Sequence, residues 1–174
     1  MTSKRHDVLA RAELDPLDAR AARVAALDSL ARRDRPAGDL KRKLVVKGYD
    51  ASVVDALVQR LTVEKLVDDR RYAENFIGFH AARGQGPLRV RAELRRLGVD
   101  SILIEESIQS FADWLEPLRQ ARQKKFGSRL PTDYAERQRQ VRFLGYRGFT
   151  GAQIRLALGF DTDLDSDTGI DSEP

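Results

Sequence analysis

Two adjacent carboxylates can hold a divalent cation and activate water for phosphodiester cleavage, and Asp68-Asp69 offers such a pair. The same two residues stand just ahead of Tyr72, Ala73, Phe76, Ile77 and Phe79, which form the apolar face of a helix. A carboxylate in that place accepts the free amides of the first helical turn and suits the positive end of the helix dipole, so a cap is the better account. Gly84-Gln85-Gly86-Pro87 could bring backbone close to a phosphate, but the spacing of a phosphate loop (Gly, four residues, Gly-Lys-Ser/Thr) is absent. His6 and His80 are the only histidines and cysteine is missing, which excludes thiolate and multi-histidine metal sites. His80 reads as a helix-surface or boundary residue, and Trp114, Tyr72 and Phe76 fit packing better than base stacking. No nucleophile, base and orienting group fall at workable spacings, so we expect no catalysis, no metal and no cofactor.

Positive charge is what the sequence does offer. Its 31 basic and 27 acidic residues leave a net +4, but Asp161, Asp163, Asp165, Asp167, Asp171 and Glu173 fall in a stretch, 161–174, with no basic residue. Residues 1–160 therefore carry +10. A basic body suits a polyanion or an acidic protein surface as partner. With 41% hydrophobic and 33% charged residues, no apolar run nears the roughly twenty residues of a spanning helix, and no membrane passage is expected. Met1-Thr-Ser-Lys-Arg-His-Asp7 has no hydrophobic segment behind it that would make a signal peptide, so the expected location is cytoplasmic.

The elements that must position these charges repeat. Leu44, Leu94 and Leu144 are fifty residues apart, as are Gly48, Gly98 and Gly148. Tyr49, Val99 and Phe149 follow the glycines, and Val54, Ile104 and Ile154 lie six positions beyond them. Such a period indicates one supersecondary unit stacked on copies of itself. No alternating strand pattern occurs, and we expect an all-α, elongated tandem array of three three-helix modules.

Residues 1–14 lack a folding signal and are expected to be disordered. Module 1 spans 15–67: Asp15-Pro16 caps a helix burying Leu17, Ala21, Val24, Leu27 and Leu30, a second helix carries Leu40, Leu44 and Val45, and Asp50 caps a third through Leu61. Module 2 spans 68–112. Its first helix ends at Gly84, Gly86 makes the reversal, Pro87 opens a helix with Val90, Leu94 and Leu97 on one side, Gly98 ends it and Asp100 caps the next. Module 3 spans 113–160, with Pro117 near a helix start, a longer loop from Gly127, and capping-box spacings at Asp133/Glu136 and Thr150/Gln153. An acidic, disordered tail, 161–174, completes the expectation.

The cations gather around the second helix of each module. Module 1 offers Arg42, Lys43 and Lys47 beside Arg32, Arg33, Arg35 and Lys41; module 2 offers Arg83, Arg89, Arg91, Arg95 and Arg96; module 3 offers Lys124, Lys125, Arg139, Arg142 and Arg147 beside Arg129 and Arg137. Stacked modules could align these into a stripe that follows phosphates or acidic side chains.

The central run, Asp68-Asp-Arg-Arg-Tyr-Ala-Glu-Asn-Phe76 and then Arg83-Gly-Gln-Gly-Pro-Leu-Arg-Val-Arg-Ala-Glu-Leu-Arg-Arg-Leu-Gly-Val99, resembles the signature of the RecX family, bacterial regulators of the RecA recombinase. Its structural positions here are Asp69, Tyr72, Phe76, Gly86, Pro87, Leu94 and Gly98. Arg142-Phe143-Leu-Gly-Tyr-Arg-Gly148-Phe149 is similar to that family's third-module pattern, whereas Pro36-Ala37-Gly38 stands where module 1 usually has a serine. The resemblance implies a non-enzymatic, monomeric protein that lies along the groove of the RecA filament and inhibits its ATP hydrolysis, recombinase and coprotease activities. It would thereby modulate recombination, DNA repair and the SOS response, with weaker contacts to single- and double-stranded DNA. The alternative reading is a helix-turn-helix DNA-binding protein or transcription regulator built on the turns at Gly48, Gly98 or Gly148. Against it, the run after Gly98, Ser101-Ile-Leu-Ile-Glu-Glu106, is poor material for a major groove.

Overall fold

Asp18, rather than Asp15, opens the first helix: its carboxylate accepts the amides of Arg20 and Ala21, both at 2.9 Å. Asp15 accepts the Leu17 amide in a turn, and the Pro16 carbonyl goes to the Asp50 amide. The computed structural model describes residues 15–159, and the expectations for 1–14 and 161–174 lie outside them. The described residues form nine helices and no strand: α1 (Ala19–Arg32), α2 (Ala37–Val46), α3 (Ala51–Val63), α4 (Asp69–Ala82), α5 (Pro87–Leu97), α6 (Ser101–Ser110), α7 (Leu115–Phe126), α8 (Tyr134–Tyr146) and α9 (Gly151–Leu158). Two compact units result, one reaching to Tyr72 and including Leu97–Val99, the other made of Ala73–Arg96 and the chain from Asp100.

The fifty-residue period is the period of the core. Leu44, Leu94 and Leu144 are all buried, as are Tyr49, Val99 and Phe149, and Val54, Ile104 and Ile154. Gly48, Gly98 and Gly148 adopt φ of 108°, 83° and 90°, the left-handed region that a side chain resists. The residue two beyond each glycine caps the third helix: Asp50, Asp100 and Thr150, the last in a complete capping box with Gln153. Asp133 accepts the Glu136 amide at the start of α8. Asp113, ahead of α7, accepts the Leu115 and Glu116 amides, and Pro117 stands in the first turn at the third helical position.

In the first unit, α1 buries Ala22, Ala26 and Ser29, while Leu17, Val24 and Leu27 face outward. The sequence expectation for this helix holds for Ala21 and Leu30, which pack partly buried against the core, and fails for Leu17, Val24 and Leu27. Small residues allow its backbone to lie close to the layer formed by Leu40, Leu44, Val54 and Leu61, and the larger side chains are left on the far side. The chain returns to this unit at Gly98, which packs against Gly38; a Cβ on Gly38 would stand 2.6 Å from the Gly98 oxygen. The glycine is therefore demanded by the close approach of two backbones. Asp69 completes the joint by accepting the Ala37 amide at the start of α2 (2.8 Å), so this carboxylate caps a neighbouring module's helix while Asp68 caps its own through Arg71. Burial pushes the Asp69 carboxyl up from its ordinary range, opposed by that amide bond.

The second unit uses the same joint again. Gly86 meets the Gly148 turn, donating its N–H to the Arg147 carbonyl (2.8 Å), and the Leu88 N–H donates to the Gly148 carbonyl (2.9 Å). The open amides at the start of α5 are thus satisfied by the turn after α8. Leu118, Leu144, Phe149, Ile154 and Leu158 fill the core of the third module. Two polar residues join them: Gln140, fully buried, and Arg122, whose guanidinium donates to the carbonyls of Ser128 (3.0 Å) and Arg129 (2.8 Å) and so ties down the longer loop.

Candidate functional site

Four of the cations picked out in the sequence, Arg83, Lys124, Lys125 and Arg147, line one groove of about 580 Å³ in the second unit. Its walls come from the end of α4, the exposed side of α7 and the end of α8, with Ala82, Pro117, Ala121 and Phe143 as apolar lining. Gly84 makes this possible: at φ 71° it ends α4, and a Cβ there would stand 2.7 Å from that of Ala121. Any side chain at position 84 would push α7 away.

The two arginines are held and the two lysines are free. The Arg147 guanidinium lies over the Phe143 ring at 5.1 Å and donates to the Arg83 carbonyl at 3.0 Å; the Arg83 guanidinium lies over Phe79 at 4.0 Å. Stacking on an aromatic face removes rotamer freedom before any ligand arrives, and each planar fork keeps donors for a carboxylate or phosphate. Lys124 and Lys125, in the last turn of α7, are exposed and make no ion pair among the described residues. Held forks beside exposed ammoniums on an apolar floor suit an extended acidic ligand with some apolar character.

The other predicted cations lie elsewhere. Arg139 and Arg142, on α8, are exposed and make no ion pair among the described residues. Arg91 forms a two-pronged bridge to Glu105 (2.7 and 2.8 Å), Arg95 approaches the same carboxylate at 3.6 Å, Arg89 pairs with Glu93, and Arg96 is exposed without an ion pair among the described residues. In the first unit Arg42 approaches Asp39 at 3.4 Å, whereas Lys43 and Lys47 are exposed and have no ion pair among the described residues. The Lys43 ammonium is pushed down by loss of surrounding water and then by Arg35, Arg32 and Arg33, which marks a second concentration of positive charge. A smaller hollow of about 330 Å³ between α1 and α3 has Arg23 already neutralised by Glu64, at 2.7 and 3.2 Å.

The residues taken from the sequence as structural sit in the core or at the joints. Leu94 and Phe149 are buried, Tyr72 is half-buried beside Asp34, Arg35 and Asp39, and Phe76 stacks on His80 at 3.9 Å. Trp114 is buried, donating its indole N–H to the Ile108 carbonyl at 3.2 Å. His80 is bonded to Gln85 and lies 4.0 Å from Glu93, a boundary position. Sequence reasoning missed Gly84 and Ala121 as the pair that lets the groove form; the small residue facing the left-handed glycine was the available signal.

Three family descriptions match successive stretches of the chain: the first three-helix domain of RecX at residues 22–61, the second at 68–108 and the third at 113–158. The chain belongs to the RecX family. The regulatory protein RecX of Halorhodospira halophila is 40% identical over 150 residues, covering 86% of this chain and 92% of that protein. That of Ectopseudomonas mendocina is 41% identical over 143 residues, covering 81% and 95%. The crystal structure of RecX from Lactobacillus salivarius has the same fold, with a TM-score of 0.70 at 19% identity over 82% of this chain and 95% of that one. The RecX relatives are named regulatory proteins, which agrees with a chain whose sequence offers no catalytic constellation. Among the described residues, no helix is long and apolar enough to cross a membrane.

Proposed function

We propose that this RecX-family chain binds the RecA nucleoprotein filament and lowers its ATP hydrolysis, strand exchange and coprotease activity, with bare DNA as a weaker ligand. What carries the reading is the convergence of Arg83, Lys124, Lys125 and Arg147 on one groove in a chain whose relatives are RecX regulatory proteins. Acidic side chains on a protein filament and phosphates on its DNA are both anions that such donors recognise. The exposed Arg139 and Arg142 extend the contact, and Lys43 and Lys47 supply a second one.

The test is steady-state ATP hydrolysis by RecA on single-stranded DNA with this protein titrated in. Inhibition is expected well below the RecA concentration, each molecule blocking many filament subunits. The double variant Lys124→Glu/Lys125→Glu, at two exposed positions, is expected to need roughly tenfold more protein, the loss of about 1.4 kcal/mol of binding. Full potency in that variant would remove the groove from the contact, and no inhibition by the native chain would remove the regulator reading itself.

A further inference from the structure

The sequence holds a ligand of the chemistry this groove selects. Asp161, Asp163, Asp165 and Asp167 alternate with Thr162, Leu164 and Ser166. In an extended chain, side chains two apart share a face, so four carboxylates would line one side at intervals of about 6.6–6.8 Å. A ladder of carboxylates at that interval imitates a polyanion more closely than a cluster would. We infer that the acidic segment Asp161–Asp167 occupies the groove of its own chain and competes there with other anions.

Reach and charge support that occupant. Leu158, at the end of α9, packs in the same core cluster as Leu118 of α7, and Gly159 then turns the chain off the helix with φ 73°. α7 is also the helix that presents Lys124 and Lys125 to the groove. The last described turn of α9 therefore lies against the helix that the segment would have to cross, a body about 10–12 Å wide. Eight residues, 160–167, span up to about 27 Å when extended, enough to pass around it. Four negative charges meet four positive ones, of which Lys124 and Lys125 have no ion pair among the described residues.

Being tethered, the segment acts at a high effective concentration, on the order of millimolar, and so shuts out weak anions while yielding to a multivalent one such as a filament. The inference rests on the groove as an anion site but goes beyond its assignment to RecA.

Zero-length carbodiimide coupling of the full chain, read by mass spectrometry, tests it directly, since the reagent joins only amines and carboxylates already in contact. Lys124 and Lys125 are expected to couple to Asp161, Asp163, Asp165 or Asp167 within the monomer, with the yield independent of protein concentration and reduced at 1 M salt. No such product, products confined to Lys41, Lys43 or Lys47, or products only between two molecules would each overturn the inference. A second measurement uses a fluorescein-labelled single-stranded oligonucleotide as the polyanion. The quadruple variant D161N/D163N/D165N/D167N is expected to bind it several-fold more tightly than the native chain at low salt, with the difference vanishing at high salt. Equal affinity at low salt would refute competition. RecA inhibition is scored separately on Lys124→Glu/Lys125→Glu: coupling at the native groove with unaltered RecA inhibition would refute the proposed RecA contact and leave the acidic segment in place.

Discussion

Replacing Gly86 by alanine tests the joint between α5 and the turn after α8. Its φ lies outside the left-handed region, so the substitution asks for no forbidden backbone; what it adds is a methyl group where there is no space. The new Cβ would stand 2.3 Å from the carbonyl carbon and oxygen of Gly148 and 2.4 Å from the Phe149 nitrogen. These are backbone atoms, which cannot swing away as a side-chain tip can, so the turn must retreat by about an ångström to reach ordinary contact. The retreat breaks or lengthens the bonds from the Gly86 and Leu88 amides, now 2.8 and 2.9 Å, and lifts Phe149 from its buried site. Two backbone hydrogen bonds are worth about 1–3 kcal/mol together, and overpacking adds about 1–3. Alanine stiffens the unfolded chain and offsets about 0.4–1 kcal/mol. The net loss is about 1–6 kcal/mol, and with a urea slope of about 2 kcal/mol/M the midpoint falls by about 0.5–3 M. Gly78, in the middle of α4, has nothing within 4 Å of an added Cβ, and Gly78→Ala is expected to stabilise by about 1 kcal/mol. Urea unfolding of both variants, followed by helical circular dichroism, decides the matter. A midpoint for Gly86→Ala equal to the native one would refute the joint as described, because no side-chain relaxation is available to hide the clash.

Gln140 occupies the core position that Leu40 and Val90 hold in the other modules; its Oε1 has no partner and its Nε2 reaches Glu136 only at 3.4 Å. Gln140→Leu is expected to raise stability by about 1–3 kcal/mol in urea unfolding, and an unchanged midpoint would show that the amide is satisfied. The Arg91 guanidinium holds the Glu105 carboxyl below its ordinary range, so its contribution is present above about pH 4.3 and lost as pH falls through the lower folded value. Arg91→Ala is expected to raise the Glu105 titration midpoint in carboxyl-detected NMR, only partly because Arg95 remains at 3.6 Å; no rise would dismiss the bridge. Asp69 runs the other way: its folded value is raised by burial, so stability drains as pH climbs from about 3.9 through that value. Asp69→Asn keeps an oxygen for the Ala37 amide and is expected to lack that decline, measured as unfolding free energy between about pH 4 and 7.

The sequence made the repeated parts legible because the same physical demand recurs at one spacing. A leucine under the turn, a glycine with positive φ, a bulky residue after it and a cap one position later can each be found by adding fifty. The face of α1 was not legible, since Val24 and Leu27 have the hydrophobicity of core residues and only the closeness of the facing helices selects Ala22, Ala26 and Ser29. Arg122 and Gln140 were likewise hidden, because a polar residue on a helix is expected to face water. The groove was legible as a list of cations and not as a place: Arg83 and Arg147 are separated by 64 positions, and the bond between them depends on how the turns dock.

Where the repeat is kept and where it lapses then explains why open charge gathers on the third module. Lys41 pairs with Asp55 at 2.7 Å and Arg91 with Glu105 at 2.7 Å, the same bridge between second and third helices displaced by fifty residues. In the third module these positions hold Val141 and Arg155, and the bridge cannot form. The acid has been replaced by a base, which adds positive charge, and the base by an apolar residue that packs against the third-module core. A cation already bridged to an internal carboxylate must give up that partner before it binds another anion, whereas Lys124, Lys125, Arg139 and Arg142 have no ion pair to give up among the described residues. The first two modules thus spend much of their charge on holding their own helices together, and the third presents its charge outward.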